Sequence, residues 1–337
     1  MAHPFDGASI LVTGGTGSFG RLFVKTVLER YRPQRMIVLS RDELKQYDMQ
    51  ADPVYQVPSM RFFLGDVRDE ARLQQAFRDV DYVVHAAALK QVPAAEYNPQ
   101  ESIKTNIIGA QNVIAAALAN NVKRVVALST DKAVSPVNLY GATKLAADKL
   151  FVAANNIAGR ADTRFSTVRY GNVVGSRGSV LPLFQKMLAE GATSLPITDP
   201  RMTRFWIRLE QGIDFVLEAF ARMHGGEVFV PRIPSVRIVD LAEAVRPGVK
   251  THTIGIRPGE KLHEAMCPRD DSHNTIRFAN HFVIAPSITF TEPFDYRRDA
   301  TGDAGEKVEE GFEYNSATNE WFLSVEELRA LHGVTRD

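Results

Sequence analysis

The stretch Ser9-Ile-Leu-Val-Thr-Gly-Gly-Thr-Gly-Ser-Phe-Gly20 decides the fold. An apolar, β-branched run, SILVT, ends in a glycine-rich turn, and residues 18–30 beyond it carry apolar side chains near 3.6-residue spacing. A strand that turns tightly into a helix aims backbone N–H groups and the helix N-terminus at one spot, which suits a pyrophosphate. Gly14, Gly17 and Gly20 permit the turn and the close approach, with Thr16, Ser18 and Phe19 between them. Such a loop alone is a weak signal. Its place after the first strand of an alternating pattern is what makes it a dinucleotide cradle.

The alternation is clear through the first half of the chain. MIVLS (36–40), RFFLG (61–65), YVVHAA (82–87), VVALS (125–129) and residues 163–169 read as strands, and 70–77, 101–120 and 139–156 as helices. Strands alternating with helices predict right-handed β-α-β units, hence an α/β fold with a Rossmann-type, doubly wound parallel sheet over residues 1–175. Past about residue 175 proline and glycine become frequent. Residues 176–285 are expected to form a smaller substrate-binding lobe over the sheet's carboxyl edge, with later segments returning to the sheet. Residues 286–337 read as a C-terminal extension without chemistry, ending in a capping box, Ser324-Val-Glu-Glu327, that opens a short helix through Leu331.

Composition narrows the partner. The 40 basic and 40 acidic residues cancel and form no basic run, which argues against nucleic acid and anionic membrane and leaves a small molecule. Cys267 is the lone cysteine, so no intrachain disulfide can form. The start MAHPFDG lacks the regions of a secretory signal, and no apolar run approaches the roughly 20 residues that span a bilayer. A cytoplasmic protein is expected, with no metal and as a homo-oligomer.

The end of the second strand separates the two nicotinamide dinucleotides. An NAD enzyme places Asp or Glu about 20 residues past the loop, on the ribose hydroxyls. This chain has Ser40-Arg41, with Lys45 one helical turn on, and cations there suit the 2′-phosphate of NADP. The competing reading, that Arg41 begins a solvated helix, stays open because Asp42 and Glu43 are adjacent. Asp66-Val67 after the third strand suits an adenine contact, and Ala86-Ala87 after the fourth would let the backbone approach ribose and nicotinamide. His85 reads as a core or hinge residue.

The densest chemistry lies in Ser129-Thr-Asp-Lys-Ala-Val-Ser-Pro-Val-Asn-Leu-Tyr-Gly-Ala-Thr-Lys144. Tyr140 and Lys144, four apart on a predicted helix, share a face. A tyrosine is a poor base at neutral pH, but an adjacent ammonium favours its phenolate. A chance helix-surface pair is the bland alternative. For Lys132, beside Asp131, the bland alternatives are a solvated loop lysine or a phosphate contact.

The TGxxGxxG loop, the Asp66 turn, and YxxxK preceded by Ser129 or Thr130 resemble the extended short-chain dehydrogenase/reductase family. Within it, LSTDKAVSPVNLYGATK, RYGNVVGSRGSV, DPRMTRFW (199–206) and RPGEKLHE (257–264) resemble the soluble, configuration-inverting UDP-N-acetylglucosamine 4,6-dehydratases that open pseudaminic acid synthesis. The resemblance spans most of residues 8–280. It implies NADP, tightly bound and recycled, UDP-N-acetylglucosamine as substrate, and a redox-neutral loss of water. Tyr140, supported by Lys144 and near Thr130, takes the 4-hydroxyl proton as hydride leaves C4. Lys132 takes the C5 proton, Asp131 protonates the departing 6-hydroxyl, and hydride returns to C6.

Lys132 must be uncharged to act so, and with a lysine pKa near 10.4 that requires a shift of about three units, on the order of 4 kcal/mol. A neutral Lys132 beside a protonated Asp131 is the self-consistent expectation. The resemblance further places Lys90 and Asn106 at the cofactor, with Lys90, Asn172, Val180, Leu181, Thr203, Arg204, Arg257 and Glu260 at the substrate. A nucleotide-sugar 4-epimerase, which needs Tyr140 and Lys144 but neither C5 base nor C6 acid, and a non-catalytic dinucleotide-sensing regulator are the rivals. Membrane-anchored dehydratases are disfavoured because several carry methionine where Tyr140 stands.

Overall fold

Successive side chains of a strand point to opposite faces, so a strand without polar residues needs cover on both sides. The computed structural model describes residues 4–159, 162–174, 180–288 and 294–332, and it supplies that cover. Six strands, β1 (Ser9–Thr13), β2 (Arg35–Ser40), β3 (Met60–Leu64), β4 (Tyr82–His85), β5 (Arg124–Thr130) and β6 (Arg164–Tyr170), run parallel in the order β3-β2-β1-β4-β5-β6. This is the doubly wound Rossmann order, and its direction reverses between β1 and β4. Ile10 and Val12 join Val38, Val84, Val126 and Val168 under the helices Ser18–Arg30 and Leu209–Arg222. Leu11, between them, joins Ile37, Val83, Val125 and Phe165 under Glu70–Ala76, Gly109–Ala119 and Leu139–Ile157. Each such side chain contributes about 1.5–3 kcal/mol when buried, so a one-residue slip of β1 would forfeit both faces together.

The expected 101–120 helix is interrupted. Lys104–Ile108 forms a π turn between Pro99–Ile103 and Gly109–Ala119, and it carries Asn106, which is buried. Wide turns of this kind reposition a side chain that a regular helix would aim elsewhere.

The second half contributes both to the main sheet and to a region apart from it. Strands β7 (Val228–Pro231), β8 (Thr275–Arg277), β9 (His281–Ile284) and β10 (Glu306–Lys307) extend the main sheet beyond β6 in the order β7-β9-β8-β10. β7 lies parallel to β6 and the others are antiparallel. What stands apart begins at the carboxyl end of β6, where Asn172–Val173 pairs with Thr203–Ile207 and the latter with Ser235–Arg237. Tyr314–Asn315, far along the chain, pairs with Ala265–Cys267, so the final segment braces the region after residue 260. The capping box forms, with Ser324 N–H donating to Glu327 and Glu327 N–H to the Ser324 hydroxyl, opening the helix Val325–His332. The turn at 175–179 lies outside the described residues.

Candidate active site

The cradle is a product of backbone geometry. Gly14 has φ +66, and a Cβ there would stand 2.9 Å from the Ala87 Cα, so the loop closes directly on the end of β4. A Cβ on Gly20 would lie 2.4 Å from the Gly15 Cα, which locks the helix onto its own turn. Gly17 caps the helix Ser18–Arg30 without a side-chain bond, leaving its first N–H groups to a ligand. Ala86 and Ala87 N–H donate to the Thr13 carbonyl and hydroxyl, and the Thr16 and Ser40 hydroxyls meet at 2.8 Å. Ser18 is exposed and Phe19 half-buried. Arg41 is exposed, its guanidinium 3.7 Å from Asp66, whereas Lys45 pairs with Asp42 at 2.6 Å. Asp66 holds Arg68 more closely, at 2.7 Å, and Val67 is buried under Gly109. A glycine-shaped hollow, uncapped N–H groups and a cation at the end of β2 fit a dinucleotide phosphate.

At the end of β5, Thr130 gathers the central group. Its hydroxyl donates to Asp131 Oδ1 at 3.0 Å, accepts from the Lys132 N–H at 3.3 Å and is hydrogen-bonded to Tyr140. Ser129, the alternative partner for the tyrosine, donates instead to the buried Asp148 carboxylate. Asp148 in turn pairs with Arg169 at 3.1 Å. Asn138 caps the helix Leu139–Ile157 by accepting from the Gly141 N–H, while its amide donates to the Gly259 carbonyl, tying the helix to the 255–264 loop. Gly141 is forced, since a Cβ there would lie 2.1 Å from the Lys132 carbonyl oxygen. Lys144 is buried and donates to the Leu128 carbonyl at 2.6 Å.

The Lys132 amine lies 3.0 Å from Asp131 and 3.5 Å from Glu264. Asp131 is fully buried, and Glu264 and Arg204 nearly so. Asp131 Oδ2, Asn172 Oδ1, Glu260 Oε2 and Glu264 Oε2 are buried oxygens without a hydrogen-bond partner among the described residues. Buried polar atoms are ordinarily paired, so the unpartnered oxygens of Asp131 and Glu264, both beside the Lys132 amine, suit a polar ligand there. Arg257 is exposed and pairs with Glu260. Lys90 is exposed on the loop after β4, and Val180 is half-buried.

Other expected ligand contacts are engaged internally. Arg204 donates to the carbonyls of Thr203, Lys261 and Leu262, and the Thr203 hydroxyl contacts His263 and Ser316 at 2.8 Å each. The Leu181 side chain packs with Trp206, Val236 and Leu241. Asn106 exchanges two bonds with the Leu89 backbone and donates to Thr143, so it holds the loop after β4.

A family model described as "Polysaccharide biosynthesis protein" matches residues 10–286. The chain belongs to this family, within the extended short-chain dehydrogenase/reductases. It is 60% identical over 325 residues to the UDP-N-acetylglucosamine 4,6-dehydratase (inverting) of Campylobacter jejuni, covering 96% of this chain and 97% of the relative. It is 42% identical to the UDP-glucose 4-epimerase of Rickettsia bellii, covering 83% of each chain. Among solved structures, Pen from Bacillus thuringiensis superposes with a TM-score of 0.86 at 36% identity, covering 97% of this chain and 98% of that one. DesIV, the dTDP-glucose 4,6-dehydratase of Streptomyces venezuelae with NAD bound, gives 0.66 at 25% identity over 75% and 86% of the two chains. No helix among the described residues is long and apolar enough to cross a membrane.

Electrostatics correct one expectation. Burial favours a neutral Lys132, but the carboxylates of Asp131 and Glu264 outweigh it and hold the amine protonated beyond the ordinary lysine range. The two carboxylates beside Lys132 thus favour its ammonium form. Burial pushes the Tyr140 phenol up to about 12, and the cation opposing that rise is Lys132. Lys144, expected to do so, has its own pKa lowered by burial. His85 is buried, bonded to Thr13, and pushed down to about 3 by burial and then by Lys144, as befits a core histidine. The sequence reading missed Glu264, although it sits in the quoted RPGEKLHE motif. It missed Gly141 too, whose signal was a glycine inside the first turn of a strong helix.

Proposed function

We propose that the protein is an inverting UDP-N-acetylglucosamine 4,6-dehydratase, an NADP-dependent hydro-lyase. Its product is UDP-2-acetamido-2,6-dideoxy-β-L-arabino-hex-4-ulose, the first intermediate of pseudaminic acid biosynthesis. The observation that carries the reading is the Asp131–Lys132 pair, an acid and an amine 3.0 Å apart on the turn that also anchors Tyr140 through Thr130. The name borne by the Campylobacter relative, at 60% identity over nearly the whole chain, supports it. A 4-epimerase, the name of the Rickettsia relatives, has no use for either group.

The loop at 14–20 and Arg41 would hold NADP, which when bound would supply a hydride acceptor for sugar C4 and a hydride for C6. Tyr140 takes the 4-hydroxyl proton, and the resulting ketone acidifies the C5 hydrogen. Transfer of one proton across the Asp131–Lys132 contact turns ammonium and carboxylate into a neutral base and a neutral acid, the two forms the elimination requires. Lys132 then takes the C5 proton and Asp131 protonates the departing 6-hydroxyl. Water leaves, and the pair is back in its resting charge state. Once C6 has its hydride, C5 takes one solvent-derived proton on the opposite face, which inverts that centre, and Tyr140 returns to solvent the proton it took from the 4-hydroxyl. In this reading Asn172, Arg257 and Glu260 hold the nucleotide sugar, and Arg41 favours the 2′-phosphate.

The test is incubation with UDP-N-acetylglucosamine in heavy water, followed by mass spectrometry and proton NMR. Loss of one water, one deuterium at C5 and an L-configured 4-keto sugar are expected. A C4 epimer without solvent deuterium overturns the reading in favour of an epimerase.

A further inference from the structure

We propose that Glu264 is a positioning residue for Lys132, a second carboxylate that anchors its amine and governs when that amine is free to act as base. The proposal deepens the dehydratase reading and rests on Lys132 as the C5 base.

Glu264 directly precedes the strand Ala265–Cys267 and is 2% exposed. Burying a carboxylate is costly unless it is compensated, and here the compensation is split. Oε1 lies 3.5 Å from the Lys132 amine, and Oε2 lies 3.5 Å from the Lys261 amine without a hydrogen bond of its own. Its backbone is clamped from both sides by one residue of the final segment. Ser316 N–H donates to the Glu264 carbonyl at 2.8 Å, and Glu264 N–H donates to the Ser316 hydroxyl at 2.9 Å. That hydroxyl also meets Thr203 at 2.8 Å. Three distant parts of the chain thus fix one carboxylate against one amine.

The charged and titratable groups facing Lys132 are Asp131 on its own turn, Glu264, Arg204 from the strand Thr203–Ile207 and Tyr140 from the helix Leu139–Ile157, with Lys261 behind Glu264. Only Asp131 and Glu264 favour the ammonium. Asp131 must itself become the acid of the elimination and gives up its charge in doing so. Burial, and then the Asp131 charge, hold the Glu264 carboxyl above the usual carboxylate range while Lys132, Arg204 and Lys261 oppose them. Once Asp131 is protonated its repulsion is gone, and Glu264 is the anion that remains beside Lys132 and decides how readily the amine releases and regains its proton.

The full-length protein tests this through Glu264→Gln, which removes the charge at nearly constant volume. Two readouts are taken: the titration of Lys132 by NMR of labelled lysine, assigned with Lys132→Arg, and the two halves of the reaction. The Lys132 titration is expected to fall by about one to three pH units. Loss of water should slow by about tenfold or more, while reduction of bound cofactor on substrate addition changes less than about twofold. Glu264→Asp keeps the charge but withdraws it, so it should move the titration the same way by less; it carries both readouts if the glutamine variant fails to fold. An unmoved titration overturns the proposal, since a merely structural glutamate would leave it in place. A moved titration with unchanged elimination overturns it too. If wild-type protein itself puts no deuterium at C5, the dehydratase reading fails, which is a distinct result from either.

Discussion

The cradle after β1 and the charge cluster after β5 sit at the carboxyl ends of strands separated only by β4, yet they are built in opposite ways. The cradle is backbone: glycines of one short loop, uncapped N–H groups and the edge of Ala87. The cluster is side chain, with Asp131 and Lys132 from one turn, Tyr140 from the next helix, Glu264 from beyond residue 260, and Ser316 behind it. A backbone site depends on local conformation, so a single added methyl should damage it. A side-chain site depends on charges brought together from afar, so its state should shift by degrees as partners are changed.

The largest effect falls on the cluster. Lys132→Ala should lower water loss by about 10²–10⁴-fold, the usual worth of a positioned base, while substrate still reduces the bound cofactor. That reduction needs the Tyr140 phenolate, which Lys132 favours, so its pH dependence should move upward in the variant. Normal turnover would remove Lys132 from the chemistry and erase the contrast between the two sites.

Next, Gly14→Ala strikes the cradle. A left-handed alanine costs about 1–2 kcal/mol before its contact with Ala87 is counted, so cofactor affinity in a titration should fall by about tenfold or more. Unchanged affinity would mean that the dinucleotide does not lie in this loop. Arg41→Ala sharpens the comparison, because here the cradle borrows a side chain. The preference for NADP over NAD, measured as a ratio of Kd values, should drop about tenfold, the equivalent of 1.4 kcal/mol. An unchanged ratio would return Arg41 to the role of a solvated helix start.

The last test lies between the two sites, at His85, and reads stability in place of chemistry. Its folded pKa is depressed to about 3 from 6.5, so the unfolded chain binds the proton that the folded one refuses. The stability this represents is complete above pH 6.5 and is lost as pH falls from there toward about 3, by about 1.4 kcal/mol per pH unit. Thermal melts between pH 6.5 and 4 should show this slope in the wild type, reduced by one proton in His85→Gln. Equal slopes would show that the folded protein accommodates the charge.

The sheet was legible because β1 through β6 are apolar runs of strand length separated by helical patterns, and such runs fold alike wherever they are covered on both faces. The π turn at Lys104–Ile108 was not, since a widened turn carries no composition of its own. A return of later segments to the sheet was expected, but the order and direction of β7 to β10 were hidden, because short strands in a proline-rich stretch declare neither partner nor direction.

At the site the sequence by itself determined which groups are present: the glycine loop, Tyr140 and Lys144 on one helix face, and the acid beside the amine. Tertiary structure decided what state they are in. Lys132 was expected to be neutral because the part of a base requires it, with a protonated Asp131 beside it. Folding brings Glu264 to 3.5 Å from its amine, and two carboxylates outweigh the cost of burying one ammonium. Charge interactions reach across the fold regardless of separation along the chain, so no reading of local spacing could supply that second carboxylate.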